Sequence, residues 1–205
     1  YSESDMADSN VPKRPGTMAG DIKIWDANGN GEINSLDRIR QDLTDIPQIV
    51  YGVNLGITWK QFDLSLLFQG QAKVINTIQE TWVDPSSGGA GNLMQWWTED
   101  MWTPENTDGT KPRLGTPNKI NGTTFTNINA AFFKLKNAEI GYTLPVAVRE
   151  KIGVANARVY LSGTNLFSFD HMRGMGIDPE ATGSGYGGWA LNPQRLINLG
   201  VNVSF

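Results

Sequence analysis

"IVYGVNLGITW", residues 49–59, alternates without a break over eleven positions. Ile49, Tyr51, Val53, Leu55, Ile57 and Trp59 fall on one face, and Gly52, Asn54, Gly56 and Thr58 on the other. A period of two predicts a β-strand. Eleven residues also suit a tilted strand that crosses a bilayer, which takes about 9–11. Lys60 and Gln61 then lead into "FDLSLLFQGQ" (62–71), where Phe62, Leu64, Leu66 and Phe68 oppose Asp63, Ser65 and Gln69. Two alternating runs with two residues between them predict a hairpin.

Three further segments carry the same signal. "FFKLKNAEIGYTL" (132–144) places Ala138, Ile140 and Tyr142 on one face and changes phase at Phe133 and Leu135, which predicts a bulge. "NARVYLSGTNLF" (156–167) sets Val159 and Leu161 against Arg158, Tyr160, Ser162 and Thr164. "LINLGVNVSF" (196–205) alternates Ile197, Leu199, Val201, Val203 and Phe205 with Asn198, Gly200, Asn202 and Ser204. The apolar sets, including Tyr51, Val53, Leu55, Leu64, Leu66, Val201 and Val203, are expected to face lipid. Asn54, Ser65 and Asn202 are expected to face inward.

Connection lengths support a membrane barrel over a soluble sandwich. Two residues join the first pair of strands and about a dozen join the third and fourth ("PVAVREKIGVA", with room for one helical turn). Roughly sixty lie between the second and third and more than twenty between the last two. Short turns on one side and long loops on the other mark an outer-membrane barrel. So do aromatics near strand ends, here Trp59, Phe62, Tyr142, Phe167 and Phe205. The fold class expected is all-β: about five strands of a large antiparallel transmembrane β-barrel with long extracellular loops. Five strands cannot close a barrel, whose smallest form has about eight, so the chain is expected to be one piece of a larger protein.

Composition narrows function. The net charge of −4 gives no basic footprint for nucleic acid. Cysteine is absent, which removes disulfides and thiolate metal sites. No run approaches 18 apolar residues, so no transmembrane helix is expected. There is one histidine, His171, and neither GxSxG nor HExxH, so catalysis is not expected. "GSGYGG" (183–188) fits GxGxxG in form, but "WALNP" follows where a dinucleotide fold needs a helix, so it reads as a glycine loop.

"DANGNGEINSLD" (26–37) has the spacing of an EF-hand calcium loop. Such a loop takes oxygen ligands at positions 1, 3, 5, 7, 9 and 12, with glycine at 6. Asp26, Asn28 and Asn30 fill 1, 3 and 5, and Gly31 is at 6. The Glu32 carbonyl fills 7, Asn34 sits at 9 and Asp37 at 12. "AGDIKIW" before the loop has no helical period, and "SLDRIRQDL" after it has room for one or two turns. A sensor that opens a helix pair is therefore not expected, and with a single copy neither is a dockerin-like module. The cofactor expected is calcium, held weakly (about 10⁻⁴–10⁻³ M) to fix the shape of an outer loop. In "MQWWTEDMWTPENTDG" (94–109), Trp96, Trp97 and Trp102, with Trp82 upstream, offer stacking faces for a sugar or a partner; self-packing of the loop is the simpler expectation. Glu99 and Asp100 do not make a glycosidase site, which is set by spatial separation.

"GDIKIWDANGNGEINSLDR", "YGVNLGITWKQFDLSLLFQGQ", "WTPEN", "FFKLKNAEIGYTLP", "RVYLSGTNLFSF", "GIDPE" and "LGVNVSF" follow in that order from about Gly20 to Phe205. Together they resemble the C-terminal part of SusC/RagA-type TonB-dependent transporters. The resemblance implies a barrel of about 22 strands around a plug, in the bacterial outer membrane. A SusD-like surface lipoprotein would cap it, a glycan or peptide would be its ligand, and TonB would drive it through the N-terminal part. The other partners implied are the plug, the remaining barrel strands and the lipid bilayer. The resemblance also implies that Phe205 ends on the periplasmic side. Residues 1–47, 72–131 and 168–190 then lie outside the cell, and 48–205 hold the wall strands. The alternative is a soluble, calcium-stabilised carbohydrate-binding β-domain.

Overall fold

The computed structural model describes residues 1–78, 93–115, 123–180 and 192–205. Five long strands form one antiparallel sheet: β1 (Ile49–Trp59), β2 (Phe62–Ala72), β5 (Phe132–Thr143), β6 (Asn156–Asp170) and β7 (Leu196–Ser204). Their order is β1-β2-β5-β6-β7, so each pairs with its sequence neighbour among the five. Two short strands, β3 (Ile75–Thr77) and β4 (Asn127–Asn129), pair with each other in the long β2–β5 connection. No helix among the described residues is long and apolar enough to cross a membrane.

Register converts alternation into two continuous faces. Leu55 pairs with Leu66, Leu66 with Ala138, Ile140 with Leu161, and Leu161 with Leu199. These residues form one apolar face across all five strands. Leu55, Ile57, Leu161, Leu199 and Val201 remain exposed on it. On the opposite face Gly56 pairs with Ser65, Ser65 with Glu139, Glu139 with Ser162, and Ser162 with Asn198. Asn54 and Asn202 lie on this second face, as the alternation predicts.

Two ladders slip at the same height. Leu67 and Phe68 are consecutive on β2, but their partners on β5, Asn137 and Leu135, are separated by Lys136. Those two residues in turn pair with Thr164 and Phe167 on β6, separated by Asn165 and Leu166. The insertion grows from none to one to two across three strands. The phase change predicted in 132–144 is the Lys136 bulge. The pair in β6 was not expected, and β6 runs to Asp170, three residues past the predicted end.

Other local expectations need correction. The chain opens with a helical turn, α1 (Glu3–Ala7), which the sequence reading did not mark. Its capping box joins Ser2 and Asp5, whose side chains accept from each other's backbone N–H. The one or two turns expected after the Asn-rich loop reduce to a single 3₁₀ turn at Ser35–Asp37. A second helix, α2, covers Gln95–Thr98. The β5–β6 connection is a fuller helix than expected, α3 (Val146–Ile152), closed by Gly153 at φ 73°.

The buried core is not between sheets. It sits beyond one edge of the wall, where Ile22, Val74, Ile78, Trp97, Ala130, Met172 and Ile177 pack together. Residues from three separate segments, the stretch before β1 and the β2–β5 and β6–β7 connections, share that core, so the long loops form one packed layer. The β1–β2 turn, α3 and the carboxyl end of β7 lie at the other edge of the sheet.

Candidate functional site

The polar face carries an ion network that spans three strands. Arg158 on β6 donates through Nε to Asp63 Oδ1 on β2 at 3.0 Å, and through Nη2 to Asp63 Oδ2. Nη2 also donates to Glu139 Oε1 on β5 at 2.7 Å. The intervening residue is Gly141, paired with both Asp63 and Tyr160. A Cβ at Gly141 would overlap the guanidinium, so only glycine leaves the path open. The guanidinium carbon is also 5.2 Å from the ring centroid of Tyr160, which itself lies over Gly200 on β7.

At the loop end of the same face, two lysines pin a returning loop. Lys134, 3% exposed, donates to Asp178 Oδ1 at 2.5 Å and Glu180 Oε2 at 2.8 Å. Lys136, the bulged residue, donates to Glu180 Oε1 and Oε2 at 3.0 and 2.9 Å. Burial pushes the Glu180 carboxyl up, but the hydrogen bonds and charges of Lys134 and Lys136 outweigh it and leave the group below the usual glutamate value. Pro179 between the two acids is fully buried. The segment "GIDPE" is thereby folded against the wall.

The Asn-rich loop is closed by hydrogen bonds that its side-chain oxygens accept from its own backbone. Asp26 Oδ1 accepts from the N–H groups of Gly29 (2.7 Å) and Asn30 (3.2 Å), and Oδ2 from Gly31 (2.7 Å). Asn28 and Asn30 each accept, through Oδ1, from the N–H two residues on, at 2.9 and 2.8 Å. Gly29 and Gly31 adopt φ of 70° and 82°, open to glycine without strain. Asn34 caps the following turn by accepting from Leu36 at 2.8 Å. Asp37 closes the loop, accepting from Asn34 N–H at 2.7 Å and Ala27 N–H at 3.1 Å. The Asn34 amide first, then those of Ala27 and Asn28, hold the half-buried Asp37 carboxyl below the usual range. Each side-chain oxygen has two lone pairs, and Asn28, Asn30 and Asn34 spend one each on the backbone. The donor set is oxygen only, and Glu32 is exposed with its carbonyl at the seventh position.

The loop is tied to the tryptophan-rich segment. The buried carboxylate of Asp21 takes Arg113 Nε at 2.7 Å, and the Arg113 N–H donates to Gly20 O at 2.9 Å. Trp102 lies flat on Gly20, where a Cβ would overlap the indole. Trp97 is 3% exposed in the core, edge-on to Trp96 and Phe125 at 5.5 and 5.9 Å. Packing within the chain buries Trp97, while Trp96 and Trp102 each keep part of their surface open. Trp82 and "GSGYGG" lie outside the described residues.

The spacing picked out the Asn-rich loop and the strand faces, but not the Lys134, Lys136, Asp178 and Glu180 cluster. Its signal was present: two lysines two apart in a strand otherwise apolar there, and two acids two apart in "GIDPE".

No protein-family model matches the sequence. The chain is similar to TonB-dependent receptor P3 of Formosa agariphila, with 31% identity over 96% of this chain and 20% of the relative. TonB-dependent receptor P26 of the same organism is 30% identical over 92% of this chain and 20% of its own length. Among solved structures, the RagAB peptide importer in its open-open state gives a TM-score of 0.63 and 26% identity, over 86% of this chain and 19% of that one. Its closed-closed state gives 0.58 and 28%, over 82% and 18%. The chain spans about a fifth of the length of the relatives it matches.

Proposed function

The chain belongs to the SusC/RagA-type TonB-dependent transporters, and on that premise we propose that its sheet is five adjacent wall strands of an outer-membrane importer. The observation that carries this reading is the separation of faces: one is apolar and exposed across every strand, the other holds glycine, amides and the Arg158 network. The apolar face meets lipid and the polar face lines the passage. At about 3.3 Å per residue, an eleven-residue strand is about 36 Å long. Tilted by about 40°, it covers the roughly 25 Å apolar band of such barrels.

The connection lengths support one direction. The β1–β2 turn, α3 and Phe205 face the periplasm, and the packed loop layer lies outside the cell. There it meets a SusD-like surface lipoprotein, which delivers a glycan or peptide. The plug and the segment that answers to TonB are supplied by the rest of the transporter. Support for a peptide comes from the RagAB importer; the two receptors of Formosa agariphila support TonB coupling.

The Asn-rich loop binds calcium weakly in this reading. Asp26, Asn28, Asn30, the Glu32 carbonyl, Asn34 and Asp37 supply hard oxygen donors, with only two side-chain carboxylates at ligand positions. Few carboxylates suit an extracellular site, and a magnesium ion would demand a tighter octahedron. A bound ion would staple residues 20–47 into one shape.

Cysteine accessibility in the intact transporter tests the wall assignment. Ser65→Cys should react with a water-soluble maleimide, while neighbouring Leu66→Cys should react only with a lipid-soluble one. Equal labelling of both by the water-soluble reagent would overturn it.

A further inference from the structure

The slipped ladders leave a cavity of about 290 Å³ on the polar face, lined by Lys134, Asn165, Phe167, Ser168, Asp178 and Arg195. Lys134 and Ser168 are cross-strand partners, so the cavity opens on the side read above as the passage. Asn165 is one of the two inserted β6 residues and holds a φ of 53°, which asparagine tolerates better than most residues. Its Nδ2 donates to Gln194 O at 3.0 Å, which fixes the amide. Its Oδ1 is buried and accepts from nothing among the described residues. A buried acceptor without a donor costs free energy until one arrives.

Charge points the same way. Lys134 and Lys136 are matched by Asp178 and Glu180, two positive against two negative. Arg195 makes no ion pair among the described residues, whereas the nearby Asp170 carboxylate already accepts from Ser168, so Arg195 is the cation left to meet an anionic ligand. A guanidinium fork suits a carboxylate, which it can hold through two hydrogen bonds. The volume is at the lower end for ligand pockets (about 300–1,000 Å³), room for one amino-acid or one sugar residue.

We propose that this cavity is a subsite for the carboxylate-bearing end of the imported nutrient. Arg195 takes the carboxylate, and Asn165 Oδ1 accepts from an N–H or O–H close to it. The chemistry is shared by the C-terminal residue of a peptide and the uronate end of an acidic glycan. The proposal rests on the polar face lining the passage.

Calorimetry on the intact transporter with matched probes tests it: N-acetylalanine against N-acetylalanine amide, and glucuronate against glucose. At least one acid should bind about tenfold to a hundredfold tighter than its neutral mate, the range of one charge-assisted contact. A preference within the first pair points to peptides, and within the second to acidic glycans. Arg195→Gln should remove the preference, while Arg195→Lys retains part of it. Acid and neutral probes that bind alike, no binding at millimolar concentration, or an unchanged preference in Arg195→Gln would each overturn the subsite. If Ser65→Cys is labelled from water and the probes are indifferent, the subsite alone fails; if Ser65→Cys is protected, the passage reading fails with it.

Discussion

Arg158 and Asp63 are 95 residues apart in sequence and two strands apart in the sheet, yet they share two hydrogen bonds across the open backbone of Gly141. That contact ties β6 to β2 without passing through the ladder of β5. Arg158→Gln is expected to cost about 1 kcal/mol in this partly exposed setting. Gly141→Ala should cost a similar amount, because its methyl displaces the guanidinium. The double variant should cost little more than either single change, since both break one contact. Urea unfolding of the refolded transporter in detergent measures all three, and additive losses would refute the contact.

Lipid exposure sets the second expectation. Leu55→Arg places a charge at mid-wall on the apolar face and should destabilise the transporter by about 2–4 kcal/mol. Asn54→Arg, one residue away on the polar face, should have a much smaller effect. The same unfolding assay reads the contrast, and equal losses would argue against a lipid face.

Calcium dependence can be checked away from transport. Asp26→Ala removes the oxygens that gather the Gly29, Asn30 and Gly31 amides. Calcium uptake by calorimetry should fall, and amide exchange should rise in residues 20–47 while β5, β6 and β7 stay protected. An intact transporter that takes up no calcium at millimolar concentration would remove the ion from the account.

The Lys134, Lys136 and Glu180 cluster predicts a pH response. The folded Glu180 pKa lies below its ordinary value, so its stabilisation is present above about pH 4.3, the unfolded value. It is lost as pH falls through the lowered folded value. A nitroxide at Arg173→Cys should be restrained at neutral pH and gain mobility only well below pH 4.3. Mobility that rises between pH 7 and 5 would contradict the assignment.

Parity decides which features the sequence exposes. The single insertion at Lys136 shifts the apolar set from even positions (Ala138, Ile140, Tyr142) to odd ones (Phe133, Leu135), and the phase change is visible on reading. The double insertion at Asn165 and Leu166 restores the period, so Val159, Leu161, Phe167 and Phe169 all stay odd and the cavity leaves no trace. The Asn-rich loop is legible because its hydrogen bonds close within twelve residues. Lys134 with Asp178 and Arg113 with Asp21 close over 44 and 92 residues, beyond any local period.

Three glycines on the wall lie under a large side chain of an adjacent strand: Gly70 under Tyr51, Gly141 under Arg158 and Gly200 under Tyr160. A slip of two residues preserves which face points out, so alternation alone would not reject it. Such a slip would bring Phe68 or Ala72, Glu139 or Thr143, and Asn198 or Asn202 beneath those side chains. Each has a Cβ where the native partner needs bare backbone. The glycines therefore act as a proofreading code for barrel assembly: mispaired strands meet a steric veto at three separate seams, and only the correct alignment lets all three close.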